Sequence, residues 1–356
     1  MRPALRRLVH GSLRALPLGI YPLLIRRPLI GIFYHSVADA TLLHVEHLYP
    51  PVSTARFEAA LLYLQQHYHF VDYAELEAHR LEGRPLPRRA VHLSFDDGFA
   101  ECNTLVRPLL LKHGIPCTFF VTTDWLDNAG MFYRNKVSLC IEKMRELPRD
   151  AAKMAFSSLN HALDLSLGST ADFERWIRTL VWEDQAVVNL AVKMLGIDVA
   201  YYLQEQRPYL TSVQVKQIAG EGFTIGSHTL SHPKLAQVDA AEAERQIVES
   251  SRIVQDLTGA ERVPFSFPNS ATGLDRGLLA GIRQRHPFLG LFFDTKGLHE
   301  DVDFIVNRIW AEKPAFSGVG RTTNVPHLLK AAYAEAAWEQ LAGVKREKAG
   351  QGDEAS

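Results

Sequence analysis

The chain has 356 residues, a formal net charge of −1 and 47% hydrophobic residues. That length holds one large α/β domain with insertions, or two domains, and the apolar content supplies a full globular core. Near-neutral charge excludes a global attraction to polyanions, so no nucleic-acid partner is expected and charge-driven binding must come from a local patch.

The first 27 residues form a distinct segment. They carry Arg2, Arg6, Arg7, Arg14, Arg26 and Arg27 and no acidic residue. Their longest apolar stretch, Ala15 to Ile25, is 11 residues long and contains Pro17 and Pro22, whereas a spanning helix needs about 20 apolar residues. No A-x-A cleavage site follows. Residues 1–27 therefore read either as a basic amphipathic arm resting on an anionic membrane surface or as an arm packed on the domain.

Beyond the arm, "PLIGIFYHSV" (28–37) reads as a buried strand. A helix over 53–68 starts on a Ser/Thr cap, a short strand covers 69–73, and a helix over 74–83 stops at Gly83. Strand 90–95, helix 101–113 and strand 117–123 follow. Residues 125 to about 210 break the rhythm and read as a helical insertion, whose tryptophans and leucines call for burial. The alternation resumes with helix 211–221, strand 223–227, helix 239–258, strand 263–267, helix 275–285 and strands 289–294 and 304–310. A helix over about 324–342 comes last, and residues 346–356 are expected to be disordered. Strands alternating with helices predict a parallel sheet or an α/β barrel, with the chemistry at the C-terminal strand ends. His35, Asp96, Asp97, His228 and Asn269 all fall at such ends. Cys102, Cys117 and Cys140 have no CxxC spacing, which predicts free thiols in a reducing compartment and hence a cytoplasmic protein, peripheral on the inner membrane face if the arm binds lipid.

Two motifs carry the chemistry. "LSFDDGF" places Asp96 and Asp97 side by side after an apolar run, where each carboxylate loses hydration and repels the other. Taken alone, the doublet could cap a helix beginning near Phe99. "GSHTLSHP" carries His228 and His232 four residues apart, a spacing shared by metal pairs and by histidines that only make hydrogen bonds. Together the motifs resolve each other: a divalent ion held by Asp97, His228 and His232 compensates the buried charge, and Asp96 stays free to act as a base.

"LSFDDGF", "IGSHTLSH" and "PFSFPNS" resemble successive motifs of the polysaccharide deacetylase family, the NodB-like carbohydrate esterases, over residues 28–123 and 211–310. The resemblance implies a distorted (β/α) barrel, with the NodB-like domain spanning 28–345 around the insertion. It makes Asp96 the general base and Asp97, His228 and His232 the ligands of one metal, and it places Phe267, Pro268 and Asn269 beside the substrate. His2Asp ligation in a hydrolase suggests Zn2+, with Ni, Co, Mn or Fe compatible by residue type. Two departures stand out. No arginine that could orient the base precedes Phe265, Arg262 being read as scaffold. No leucine-x-x-His motif follows residue 270 except around His299. "FYHSV" matches the branch of the family that places its acid histidine before the doublet, which makes His35 the general acid. His44 and His47 could line the same mouth but are read as solvated loop residues, and His92 as packed against a helix. The implied activity is removal of an N-acetyl group from an amino sugar of a cell-surface or lipid-linked glycan. The alternatives are a sugar-binding descendant without catalysis and a facial-triad Fe(II) oxygenase.

Overall fold

The computed structural model describes residues 21, 25, 27–312 and 325–342. Most of the basic arm and the tail at 346–356 lie outside the described residues; Tyr21 and Ile25 are buried, and Tyr21 stacks on Tyr333 with ring centroids 5.3 Å apart.

Seven parallel strands close into a barrel. In chain order the strands are β1 (Leu29–Tyr34), β2 (His69–Phe70), β3 (Ala90–Phe95), β4 (Thr118–Val121), β5 (Thr224–Ser227), β6 (Val263–Ser266), β7 (Leu289–Asp294) and β8 (Ile305–Trp310). The sheet runs β1-β8-β7-β6-β5-β4-β3, and β1 pairs with β3 to complete the ring. The short β2 shares an edge of β3 with β4: β2 pairs at Ala90 and Val91, and β4 at Ser94 and Phe95. Helices return the chain across the parallel crossovers, except from β7 to β8, which residues 295–304 join without a helix.

The helices between strands are bounded by the signals that their sequences carry. Helix α1 (Thr54–His67) has Ser53 as N-cap, and α2 (Tyr73–Glu82) opens with an Asp72/Glu75 capping box and closes on Gly83 at φ 74°. The segment expected as one helix over 101–113 is a π-turn, Cys102–Val106, running into α3 (Arg107–His113). Pro108 has no N–H to return to residue 104, so the preceding turn widens. Six helices lie between β4 and β5, of which the first five form the insertion: α4 (Tyr133–Glu146), α5 (Arg149–Leu163), α6 (Thr170–Ile177), α7 (Gln185–Met194) and α8 (Val199–Gln206). They share a core of their own, in which Cys140, Phe173, Ile177 and Val188 are fully buried. Trp125 joins that core, and Trp176 and Trp182 pack against it. The remaining helices are α9 (Ser212–Gly220), α10 (Ala240–Thr258), α11 (Arg276–Arg285) and α12 (Val325–Ala342). Among the described residues, no single helix is long and apolar enough to cross a membrane. All three cysteines are buried and free.

Candidate active site

The C-terminal strand ends open into a cleft of 920 Å³, lined among others by His35, Asp96, Asp97, His228 and His232. The doublet follows β3 directly, and its chain turns sharply: Asp97 and Gly98 both adopt left-handed backbone, at φ 71° and 68°. A Cβ on Gly98 would stand 3.0 Å from a Val121 methyl on left-handed backbone, so glycine relieves both a tight contact and strain there. The turn is not a helix cap, because the next helical residues begin beyond Phe99, which bridges to Tyr209 instead. The His228–His232 segment is a second strained turn. Thr229, a β-branched residue, sits at φ 68° and His232 at φ 63°, and the Thr229 hydroxyl accepts the His232 N–H at 2.9 Å. Backbone of this kind persists where the surroundings over-determine it, and it gathers at functional sites.

These turns bring three donor atoms together. His228 Nε2 and His232 Nε2 each lie 3.4 Å from Asp97 Oδ1, and all three are within 4.8 Å of one another. Tetrahedral ligands at about 2.0–2.1 Å from zinc stand roughly 3.3–3.4 Å apart, so the spacing fits a small divalent ion. The donor chemistry fits as well. His228 Nδ1 lies 2.8 Å from the Ser266 carbonyl, which can only accept, so Nδ1 carries the proton and Nε2 keeps its lone pair for a metal. Asp97 Oδ1 is buried and has no hydrogen-bond donor, an orphan that a cation would satisfy.

Asp96 points away from that triad toward Arg308 of β8. The guanidinium grips both carboxylate oxygens, Nη1 to Oδ1 and Nη2 to Oδ2, at 2.8 Å each. It also donates to Ser94 Oγ at 2.9 Å and Ser266 Oγ at 2.7 Å. Arg308 is fully buried, with Phe33 stacked 4.3 Å from the guanidinium carbon. Burial would raise the Asp96 carboxyl; the Arg308 charge outweighs it and holds the group below its usual range. The arginine that sequence reading did not find is therefore Arg308, on the last strand. Its signal was a charged residue inside an otherwise apolar strand, "FIVNRIW", since a buried charge implies a partner. Arg262, as expected, is remote from Asp96; its neighbour is Glu77 at 3.8 Å.

His35 follows β1 and meets Glu312, which sequence reading did not single out. Its Nδ1 lies 2.8 Å from Glu312 Oε2, and the Glu312 carboxylate also accepts the backbone N–H groups of His35 and Ser36. Trp310 Nε1 donates to the same carboxylate at 3.0 Å. Tyr49 and Trp310 flank the imidazole, at centroid distances of 5.0 and 5.3 Å. Burial opposes the charged imidazole, but the hydrogen bond and charge of Glu312 prevail and raise His35 to about 9.

Of the other expectations, Phe267 and Asn269 line the cleft; Pro268 is buried and is not among its lining residues. His299 also reaches the lining, but its Nε2 pairs with Glu339 at 2.9 Å. His44 and His47 are not solvated. His44 is 3% exposed beside Tyr202, and burial lowers it to about 4; His47 lines the cleft and pairs with Glu142 at 2.7 Å. His92 does not pack on a helix: it is fully buried, bonded to Thr118 of β4 with its ring against Phe293 of β7. Side chains alternate across a strand, and three barrel strands share this neighbourhood.

The chain is similar to known proteins along its middle. Residues 83–280 match the family model described as polysaccharide deacetylase. A peptidoglycan-N-acetylglucosamine deacetylase of Bacillus cereus is 49% identical over 45 residues, 13% of this chain and 16% of that protein. A poly-beta-1,6-N-acetyl-D-glucosamine N-deacetylase of Escherichia coli K12 is 32% identical over 100 residues, 28% of this chain and 14% of that protein. The chain thus aligns with only about a sixth of either relative. Among solved structures, IcaB from Ammonifex degensii superposes with a TM-score of 0.50 at 17% identity, over 86% of this chain and 97% of that one, which speaks for the shared fold. The family match spans more than half of the 356 residues and contains the Asp96-Asp97 doublet and both histidines of the triad: the chain belongs to the polysaccharide deacetylase family.

Proposed function

We propose that this protein is a metal-dependent N-deacetylase that hydrolyses the N-acetyl group of an amino sugar in a cell-surface polysaccharide or lipid-linked glycan. One observation carries the reading. A carboxylate clamped by Arg308 and an imidazole clamped by Glu312 face one cleft, beside three donors spaced for a divalent ion.

Asp97, His228 and His232 would hold the ion, with Zn2+ the first choice for these donors. When bound, it polarises the acetyl carbonyl and acidifies water. The remaining work falls to the chain. Arg308 fixes both oxygens of Asp96 and keeps it ionised at neutral pH, so the carboxylate can take a proton from the attacking water. Addition of that water to the amide carbon gives a tetrahedral adduct. The C–N bond then breaks only if the nitrogen gains a proton, because an amide anion is a poor leaving group. Glu312 accepts at Nδ1 of His35, which directs Nε2 toward the substrate, and Nε2–H supplies the proton. Acetate and a free amine result. Phe267 and Asn269 would contact the sugar.

Arg308 speaks against the non-catalytic sugar binder, for which the apparent lack of an arginine to orient the base left room. The test is release of acetate from chitooligosaccharides and poly-N-acetylglucosamine by the purified protein, with and without chelator. Retention of full activity after exhaustive chelation, or no acetate from any N-acetylated glycan with metal added back, would overturn the reading. The arginines of residues 1–27 and the three free cysteines support residence on the cytoplasmic face of an anionic membrane.

A further inference from the structure

The cleft contains more positive charge than a neutral N-acetylated sugar needs. Arg134, Arg178 and Lys296 line it together with the triad. Arg134 lies in α4, Arg178 caps the C-terminus of α6, and Lys296 comes from the loop after β7, next to Thr295, whose hydroxyl donates to the Asn269 carbonyl. The cations therefore reach the cleft from separate elements.

None of the three has a carboxylate partner within 4 Å among the described residues, although the chain forms many such pairs elsewhere. Arg134 lies over the Tyr133 ring at 5.4 Å, and Arg178 donates to the His47 carbonyl. Glu174, whose field Arg178 feels, is held by both nitrogens of Arg145 at 2.6 and 2.8 Å. The acids of the cleft are, by contrast, compensated: Asp96 by Arg308, Asp97 by the divalent ion that it would hold with His228 and His232, and Glu335 is itself engaged. Compensated acids and uncompensated cations in one concave site produce a positive field that concentrates anions. Guanidinium groups also match phosphate and carboxylate geometry with paired donors.

We infer that the substrate is an anionic glycan, with a phosphate or carboxylate on or next to the N-acetylated sugar, bound by Arg134, Arg178 and Lys296. This inference rests on the deacetylase reading and narrows its substrate class. The bound anion would orient the sugar across the cleft, with the insertion on one flank and the 295–297 loop on the other.

Calorimetry on the metal-loaded full chain at low salt tests it, with N-acetylglucosamine, N-acetylglucosamine 1-phosphate and N-acetylmuramic acid as probes. At least one anionic sugar should bind 10-fold or more tightly than the neutral one, with affinity falling as salt rises, and the tighter of the two identifies phosphate or carboxylate. The R134Q/R178Q/K296Q variant should lose that preference and its salt dependence. Equal affinities for all three sugars would overturn the inference, as would a phosphate preference that survives in the triple variant, since the metal would then be its source. If the triple variant fails to fold, R178Q and K296Q singly should each reduce the preference. The binding readout is independent of turnover: failure of the deacetylase reading would show as missing acetate release, not as equal affinities.

Discussion

Replacing Arg308 by methionine leaves Asp96 ionised, buried and without its partner. Breaking a buried pair in this way costs about 3–5 kcal/mol, so R308M should show a lowered urea midpoint, and adding D96N to it should recover part of the loss. D96N alone should fold and retain metal by elemental analysis, while kcat falls by at least about 100-fold, the usual scale for a lost general base. H35A should fall similarly and H299A should not, because His299 is paired with Glu339; an inactive H299A would reassign the acid. Glu312 sets the pH range. A His35 raised to about 9 stays protonated below that pH and loses its acid form as pH rises through it. Removing the raising cause in E312Q should therefore move the alkaline limb of the pH–rate profile down by a unit or more toward the ordinary 6.5. An unmoved limb would detach Glu312 from the acid.

At the level of elements, the close approach of β1 to β8 positions the Arg308 clamp on Asp96. Gly31 pairs with Arg308, and a Cβ there would meet the Arg308 side chain at 2.8 Å and the Asn307 carbonyl at 2.9 Å. G31A should be destabilised by about 1–3 kcal/mol through overpacking and should lose kcat because the guanidinium is displaced; unchanged kinetics would show that the clamp tolerates movement. The strand and helix pattern was legible from periodicity, and the cluster of Asp97, His228 and His232 from two local motifs that each span a few residues. Arg308 and Glu312 were not, because they meet Asp96 and His35 across 212 and 277 residues of sequence, and only ring closure by β1 makes them neighbours. The placement of His92 inside the ring was missed for the same reason: a buried strand is apolar on both faces, so alternation does not say which face looks inward.

For the whole molecule, the membrane proposal can be tested by truncation, provided the cut is placed correctly. Tyr21 and Ile25 belong to the main core, so removal of residues 1–27 would damage the fold as well as the arm. Removal of residues 1–20 takes away Arg2, Arg6, Arg7 and Arg14, each worth roughly 1 kcal/mol near an anionic surface. That truncation should abolish sedimentation with anionic liposomes while acetate release from a short soluble sugar survives; undiminished sedimentation would make the arm purely structural. The ring topology has a further consequence during synthesis. β1 leaves the ribosome before the other strands of the ring, and Glu312 follows His35 by 277 residues, about 14–55 s later at ordinary elongation rates of about 5–20 residues per second. Throughout that interval one edge of β1 waits unpaired for β8, a template for wrong pairing. A nascent chain cut short anywhere before β8 has an open sheet and neither clamp, so translation yields an inert, aggregation-prone fragment until its final strand arrives.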